Sequence, residues 1–287
     1  MYTSHTIKTS SAIHIHYLDS GTDKPLLILL HGVTANAHAF DGLTAAGLDD
    51  NFRIVSVDLR GRGLSDHPAT GYTVEDHVGD VLDVMSHLGA ADAYFCGHSF
   101  GAFVSMYIAA NHPGKVKKLI ILDAGIRMNP RVGEMLGYRF SHLDTVYPSW
   151  KEYLAEIKAA PYNTFWDAAM TSYYRADVRP AAGGGVTPRP YLAHMVQASV
   201  GLSKIDWTEL LPRIAADTLL IHAPENYNLG EPLLQDDGAQ DTVKMIPHCR
   251  LITVPGNHQT MLYGQGAQEI TAALNGFLLP QESQITA

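Results

Sequence analysis

One serine of this chain has the neighbours that covalent chemistry requires. The segment Gly97-His98-Ser99-Phe100-Gly101 joins an apolar stretch typical of a strand to one typical of a helix. A nucleophile on a sharp strand-to-helix turn needs small neighbours, because its backbone is strained and other segments pass close by. The turn also places the free N–H groups at the start of a helix beside the reacting atoms, where they favour developing negative charge. We therefore predict Ser99 as a nucleophile.

The general base is predicted at His258, one of fifteen histidines. His258 follows an apolar stretch, residues 251–254, through Pro255-Gly256-Asn257. Such a loop can deliver a side chain to the edge of a sheet where the strands end. The imidazole would take the Ser99 proton and later return it to the leaving group.

Backbone N–H groups that hold an oxyanion are predicted at Val33 and Phe100. The segment His31-Gly32-Val33-Thr34 follows the apolar stretch Leu26–Leu30, and its glycine allows the chain to turn an N–H toward the oxyanion. Val33 is the preferred donor of this segment and Thr34 the less favoured one, while Phe100 directly follows the nucleophile. We expect His31 to order the loop by hydrogen bonding rather than to catalyse.

The motifs together resemble the α/β-hydrolase family. His31-Gly32, the segment 58–65 (DLRGRGLS), the turn 97–101 and Gly256-Asn257-His258 have that family's order and spacing, and the match extends over essentially the whole chain outside residues 127–207. The resemblance implies a doubly wound, mostly parallel α/β sheet with an inserted helical cap, in a branch similar to serine esterases and lactonases. It also implies scaffold rather than catalytic roles for the charged residues Asp58, Arg60 and Asp66.

Two carboxylates are candidates for the acid that completes the site. The family usually places an aspartate three residues after the small residue that ends the strand before the histidine, and Asn226 occupies that position here. An amide orients an imidazole but stabilises an imidazolium poorly. Asp123, at the end of the predicted strand Val116–Leu122, occupies the position used by some other members of the family. We predict Asp123 as the acid, with Glu225 as the alternative.

The elements that position these residues are indicated by hydrophobic periodicity. Strand-length apolar stretches alternate with amphipathic stretches, as in parallel βαβ units of a doubly wound sheet. Predicted strands cover residues 12–18, 26–30, 52–57, 93–96, 116–122, 218–222 and 249–254, and predicted helices cover 74–88, 100–111 and 267–278. The core is predicted to comprise residues 1–126 and 208–287.

An aromatic-rich block, residues 127–207, interrupts this alternation and is predicted to form a mostly helical cap. Pro180 and the run Gly183-Gly184-Gly185 break it, and the glycines predict a flexible turn or hinge. A cap over the sheet would enclose a small or medium, partly apolar substrate. Predicted substrate contacts are Trp150, Tyr162 and Trp166 in the cap and His222 at the end of a strand.

The chemistry favoured by a serine nucleophile is acyl transfer to water, with a carboxylic ester or lactone as substrate. An acyl-homoserine lactone is one candidate. Three alternatives remain: hydrolysis of a carbon–carbon or amide bond by the same residues, a cofactor-free dioxygenase that uses His258 and Asp123 to deprotonate an aromatic substrate, and a ligand receptor without turnover.

Composition restricts the partners of the protein. The chain has 46% hydrophobic and 17% charged residues, which is typical of a globular protein, and its net charge of −9 disfavours nucleic acid and anionic membranes. Two cysteines, Cys96 and Cys249, predict no disulfide framework and are compatible with a cytoplasmic location, and no signal peptide is recognised. We expect a monomer or homodimer that binds a small molecule, without cofactor or metal.

Overall fold

The computed structural model describes residues 2–279. Its strands are β1 (Thr3–Lys8), β2 (His14–Asp19), β3 (Leu26–Leu30), β4 (Arg53–Val57), β5 (Ala93–His98), β6 (Val116–Leu122), β7 (Val178–Pro180), β8 (Val186–Pro188), β9 (Thr218–His222) and β10 (Cys249–Thr253). Its helices are α1 (Asp41–Ala45), α2 (Val74–His87), α3 (Phe100–Asn111), α4 (Val132–Ser141), α5 (Trp150–Lys158), α6 (Ala168–Asp177), α7 (Leu192–Ser203), α8 (Trp207–Leu210), α9 (Asp236–Met245) and α10 (Gly264–Leu278).

Eight of these strands form one sheet, in the order β1-β2-β4-β3-β5-β6-β9-β10. The strands from β4 to β10 in this order are parallel, whereas β2 pairs antiparallel with both β1 and β4. The central strands are apolar and buried because hydrophobic clusters cover both faces of the sheet. The predicted α/β class and mostly parallel sheet are confirmed.

Helix α3 is apolar on nearly its whole circumference, since it is packed between the sheet and the neighbouring helices. All of its residues except Tyr107 and Asn111 are buried. Such a helix holds its first turn rigidly against the ends of β5 and β6, which it contacts directly. The first turn of α3 is therefore a fixed platform at the carboxyl edge of the sheet.

The segment between β6 and β9 contains α4 to α8 and the antiparallel β7–β8 hairpin. The run Gly183-Gly184-Gly185 forms the turn of this hairpin, with φ values of 86°, 104° and 78°, rather than a hinge between helices. Glycine is required at position 185 because a Cβ there would clash with the Tyr147 carbonyl oxygen. Of the two predicted alternatives, a flexible turn or a hinge, the structure shows a turn, while the cap boundaries at residues 127 and 207 stay a prediction.

Several elements have the bounds that periodicity predicts, namely β3, β6, β9 and α3. Hydrophobic periodicity does not predict strand β1, because five of its six residues are exposed and the segment lacks an alternation of apolar and polar residues. Residues 280–287 of the predicted core lie outside the described residues. No helix within residues 2–279 is both long enough and apolar enough to cross a membrane.

Candidate active site

Ser99 lies at the junction of β5 and α3 in a strained conformation. Its φ of 52° and ψ of −119° are rarely adopted by a residue with a side chain. The backbone is held there by hydrogen bonds from the Ser99 N–H to the Leu122 carbonyl (3.1 Å) and from the Ala102 N–H to the Ser99 carbonyl (2.9 Å). The turn therefore presents the serine at the carboxyl edge of the sheet.

The flanking glycines are required by close packing rather than by their own torsion angles. A Cβ on Gly97 would clash with the Gly101 carbonyl oxygen, and a Cβ on Gly101 would clash with the Leu30 carbonyl oxygen. The strand β3 thus passes directly against the start of α3. This contact explains physically why the serine needs glycine on both sides.

His258 is fixed by Asp123, the residue that directly follows β6. The distance between His258 Nδ1 and Asp123 Oδ2 is 2.7 Å, and both residues are buried, with exposures of 5% and 0%. Since Nδ1 is engaged, Nε2 is the ring nitrogen available for a proton transfer with Ser99. Ser99 and His258 line the same cavity.

Asp123 is held as an anion by its partners. Burial by itself would raise the pKa of Asp123, but hydrogen bonds from His222 and His258 outweigh it and lower the pKa to about 2. The Ala223 N–H also donates to Asp123 Oδ1 at 3.0 Å. A carboxylate with these three donors orients the His258 ring and can stabilise a positive charge on it.

Glu225, the alternative acid, occupies a different place. Its carboxylate accepts a hydrogen bond from the Gly256 N–H at 2.9 Å, on the backbone of the loop that carries His258. Asn226, at the position where the family usually has the acid, is exposed. The structure therefore brings Asp123, and neither of these two residues, to the His258 ring.

The loop that carries His258 is fixed by Asn257, a residue to which sequence reasoning assigned no role. The Asn257 amide group donates to the Tyr162 carbonyl (2.9 Å) and its oxygen accepts from the N–H groups of Gln259 and Thr260. His98 adds a hydrogen bond between its Nε2 and the His258 carbonyl at 2.9 Å. Burial lowers the pKa of His98 to about 3, so this ring is neutral.

The loop after β3 orients one of the predicted oxyanion donors. His31 Nε2 accepts from the Leu59 N–H, so Nδ1 carries the proton and donates to the Gly32 carbonyl at 2.8 Å. Because the C=O and N–H of one peptide unit point in opposite directions, this bond turns the Val33 N–H away from His31. Burial lowers the pKa of His31 to about 4, which keeps the ring neutral. His31 thus orders the loop, in line with the sequence prediction.

Phe100, the second predicted donor, is the first residue of α3. N–H groups in the first turn of a helix have no partner within the helix, and the Ser99 side chain does not cap them. Val33 and Phe100 both line a larger cavity next to Ser99. Their place next to Ser99 is where the predicted oxyanion donors are needed, and the oxyanion position itself stays a prediction.

Two cavities meet at Ser99. The larger has a volume of about 290 Å³ and a mostly apolar wall that includes Phe103, Met128, Leu136, Phe140 and Leu202. The smaller has a volume of about 40 Å³ and a more polar wall that includes His258, Arg139, Tyr162, Tyr173 and Tyr227. Sequence reasoning missed Arg139 and Tyr227, since neither belongs to a local motif.

Of the four predicted substrate contacts, only Tyr162 lines one of these cavities. Trp150 packs against Tyr153 and lies under the Arg175 guanidinium, and Trp166 stacks on Tyr174. Both tryptophans pack within the segment between β6 and β9, so their expected contact with substrate is corrected. Aromatic residues in this segment build its own interior as well as the cavity wall.

His222 also lies behind the site rather than in it. Its Nδ1 is 2.9 Å from Asp123 Oδ1, and its Nε2 is 2.9 Å from Asp236 Oδ1. Both ring nitrogens face carboxylates, and only a doubly protonated imidazole can donate to both. Burial opposes a charge on His222, but the bonds to Asp123 and Asp236 raise its pKa above the usual value. The expected substrate contact is therefore replaced by a contact with the candidate acid.

The remaining charged motif residues are structural. Asp58 accepts hydrogen bonds from the Ala37 N–H (2.6 Å) and from His16 Nδ1 (2.7 Å). Arg60 forms a bidentate salt bridge with Asp80, with N–O distances of 2.6 and 2.7 Å. These contacts fix the turn after β4, as the resemblance implied. Within residues 2–279, no group of three or more His, Cys, Asp or Glu side chains could hold a metal ion.

The His222→Phe variant tests the contact behind Asp123. The phenyl ring keeps the volume but removes both donors, so we expect kcat to fall by about tenfold, the effect of losing one hydrogen bond to a charge. Because the pKa of His222 is raised in the folded state, its stabilising contribution is fully present below the unfolded pKa and is lost as pH rises through the folded pKa. The difference in unfolding free energy between wild type and variant should therefore shrink toward high pH.

Urea denaturation from pH 5.5 to pH 9 measures this difference. The His222→Gln variant, which retains one donor, is the matched control and should lose less activity. A difference in unfolding free energy that is constant across this range would contradict the charged His222.

Comparisons with known proteins agree with this fold. A family model described as the alpha/beta hydrolase fold matches residues 25–264. A 2-(acetamidomethylene)succinate hydrolase of Mesorhizobium japonicum is 29% identical over 238 residues, covering 81% of this chain and 80% of the relative. The crystal structure of an E-2-(acetamidomethylene)succinate hydrolase matches with a TM-score of 0.85 and 25% identity, covering 97% of this chain and 99% of that one. An enol-lactonase from Burkholderia xenovorans LB400 matches with a TM-score of 0.71 and 20% identity, over 96% and 99% of the two chains; this likeness shows the fold alone.

Proposed function

This chain belongs to the α/β-hydrolase fold family, and we propose that it is a serine hydrolase that cleaves a carboxylic ester or lactone through an acyl-enzyme. The observation that carries the proposal is the 2.7 Å contact between His258 and Asp123 beside the strained Ser99 turn. A buried imidazole and carboxylate in hydrogen-bond contact, next to a serine on a sharp turn, are the parts that activate a hydroxyl nucleophile.

Each residue has one role in the proposed reaction. Ser99 Oγ attacks the substrate carbonyl while its proton passes to His258 Nε2, and Asp123 stabilises the resulting imidazolium. The N–H groups of Val33 and Phe100 hold the oxyanion. His258 then gives the proton to the leaving alcohol, and a water molecule, activated by the same imidazole, releases the acid.

The apolar cavity supports a small to medium substrate with an apolar part. Its volume of about 290 Å³ lies at the lower limit of typical ligand pockets, and its wall consists mainly of hydrophobic side chains. Val33 and Phe100, the residues of the two proposed oxyanion donors, line this cavity. The segment between β6 and β9 supplies much of the wall and acts as the proposed cap.

An amide is the second candidate for the cleaved bond. The relative from Mesorhizobium japonicum, which covers most of this chain, is named for a substrate with an acetamido group. The same serine, histidine and oxyanion donors would serve amide cleavage, although an amine leaving group requires a stronger contribution from the general acid.

A panel of esters, lactones and amides of increasing apolar length distinguishes these bonds. We expect measurable hydrolysis of esters or lactones, together with a covalent acyl adduct on the peptide that contains Ser99 in rapidly quenched samples. An acyl-homoserine lactone belongs in the panel. Turnover of an aromatic substrate with oxygen consumption, and without an acyl adduct, would instead support the dioxygenase alternative.

A further inference from the structure

The smaller cavity beside Ser99 contains two buried hydrogen-bond donors without a protein acceptor. Among the described residues, Arg139 Nη1 and Tyr162 Oη have no hydrogen-bond partner. Both side chains line the cavity, and their exposures are only 5% and 1%. A buried donor without an acceptor costs free energy, most of all when it is charged. A ligand in this cavity would supply the missing acceptors.

The other nitrogens of Arg139 hold the guanidinium in place. Nη2 donates to Asp177 Oδ2 at 2.7 Å, and Nε donates to Thr34 Oγ1 at 3.2 Å. Tyr153 also donates to Asp177, so the carboxylate is itself fixed. Arg139 therefore has one edge bound by the protein, which leaves both N–H bonds of Nη1 for a ligand. A preorganised guanidinium loses little side-chain freedom when it binds an anion.

Tyr162 is able to donate a hydrogen bond to the same ligand. Burial raises the pKa of Tyr162, so its hydroxyl remains protonated. Its backbone carbonyl accepts from Asn257, in the loop that carries His258. This hydrogen bond fixes Tyr162 relative to the loop that carries the candidate base, His258.

We propose that the substrate of this enzyme carries a carboxylate, which Arg139 Nη1 and Tyr162 Oη bind in the smaller cavity, close to the carbonyl group attacked by Ser99. The carboxylate site rests on the proposed function, because it concerns the substrate of the same serine. Hydrogen bonds between a guanidinium and a carboxylate are about twice as strong as those between neutral groups, and the two carboxylate oxygens match donors from two side chains. The cavity of about 40 Å³ restricts this arm of the substrate to a short one.

The two cavities together define the shape of this substrate. The carboxylate occupies the polar cavity, the scissile carbonyl lies at Ser99, and the apolar remainder occupies the cavity lined by Phe103, Met128 and Leu136. The substrate class is thus the half-ester, or a lactone or amide with a free acid, of a short dicarboxylic acid.

The direct test compares two esters that differ only in charge. Monohexyl glutarate carries a free carboxylate, and methyl hexyl glutarate has the same chain with the acid masked. We expect kcat/KM for the hexyl ester bond of the anion to exceed that of the neutral diester by at least about tenfold in wild type. Equal or higher kcat/KM for the diester would overturn the carboxylate site while leaving the serine hydrolase intact.

The Tyr162→Phe variant removes a hydroxyl that has no partner in the protein, so the fold loses no contact. We expect this variant to lose about three- to tenfold of the preference for the anion, mainly through KM, with an unchanged melting temperature. Tyr174→Phe is the matched control, because its hydroxyl bonds to Asn163 outside both cavities. The double variant Arg139→Gln with Asp177→Asn removes both members of the buried ion pair, so that neither charge remains alone, and should abolish the preference.

Binding to the Ser99→Ala protein separates this proposal from the reaction itself. Calorimetry with monohexyl glutarate, its methyl ester and its primary amide requires no turnover. Tighter binding of the anion than of both neutral compounds, weakened by Tyr162→Phe, supports the site even if wild type hydrolyses none of them. Binding of the amide as tight as that of the anion shows that an uncharged acceptor suffices and overturns the proposal.

Discussion

The Ser99→Ala variant is expected to lose about 10⁴-fold or more of kcat on any ester that wild type hydrolyses. Without Oγ no acyl-enzyme forms, and only the oxyanion donors and binding contribute to the residual rate. The replacement should not weaken the fold, because the strain at Ser99 comes from backbone angles that alanine also has to adopt. Steady-state kinetics of both proteins on one ester measures the loss of kcat. Thermal melting of both proteins checks that the fold is retained.

Ser105→Ala is the control for this experiment. Ser105 lies on the same helix, and its hydroxyl donates to the Gly101 carbonyl at 2.9 Å without lining either cavity. Its replacement should leave kcat within about twofold. A fluorophosphonate should label wild type and Ser105→Ala but not Ser99→Ala. Retention of turnover in Ser99→Ala would exclude the acyl-enzyme, and lack of labelling in a folded wild type would favour the receptor alternative.

The Asp123→Asn variant has the second-largest expected effect, a loss of roughly 10³- to 10⁴-fold in kcat. Asparagine retains the volume but removes the charge that stabilises imidazolium, and its amide N–H group would point a hydrogen-bond donor at one of the two histidines that now donate to Asp123. The replacement also leaves His222 with only the exposed Asp236 as an anionic partner. KM should change little, because Asp123 does not line the cavities.

Glu225→Gln is the matched control for the position of the acid. Its oxygen would still accept from the Gly256 N–H, so the loop of His258 should be retained and kcat should stay within about threefold. If Asp123→Asn leaves the rate nearly intact while Glu225→Gln abolishes it, the assignment of the acid to Asp123 is wrong. Asp123 has a depressed pKa of about 2, so it keeps its charge in any assay above about pH 4.

Ser99 and Arg139 differ in how far their roles can be predicted from the sequence. Ser99 is recognisable because its glycines, strand and helix are neighbours along the chain, and sterics restrict such a turn to few sequences. Arg139 and Asp177 are 38 positions apart and meet only through the packing of α4 and α6. No local pattern distinguishes this arginine from one on a solvated helix face.

His222 illustrates a different limit. Its strand and bounds follow from the apolar stretch 218–222, but the direction of its ring depends on the register of β9 against β6. That register places it 2.9 Å from Asp123 and behind the cavity. The sequence predicts that His222 is the last residue of its strand, at the carboxyl edge of the sheet. Which side chain it contacts there depends on the register of the neighbouring strand.

Local sterics and hydrophobic periodicity were sufficient to predict the fold class, the sharp turn at Ser99, and the loops that carry His258 and Val33. The sequence also suggested Asp123 as the acid, through a resemblance and an asparagine at the usual position. The packing of the folded chain was needed to establish that His258 contacts Asp123 while Glu225 bonds to the backbone, that Trp150 and Trp166 pack away from Ser99, and that Arg139 lines the polar cavity. Apart from the packing of the two tryptophans, these contacts join segments that are far apart along the chain, and that separation carries no information about their distance in space.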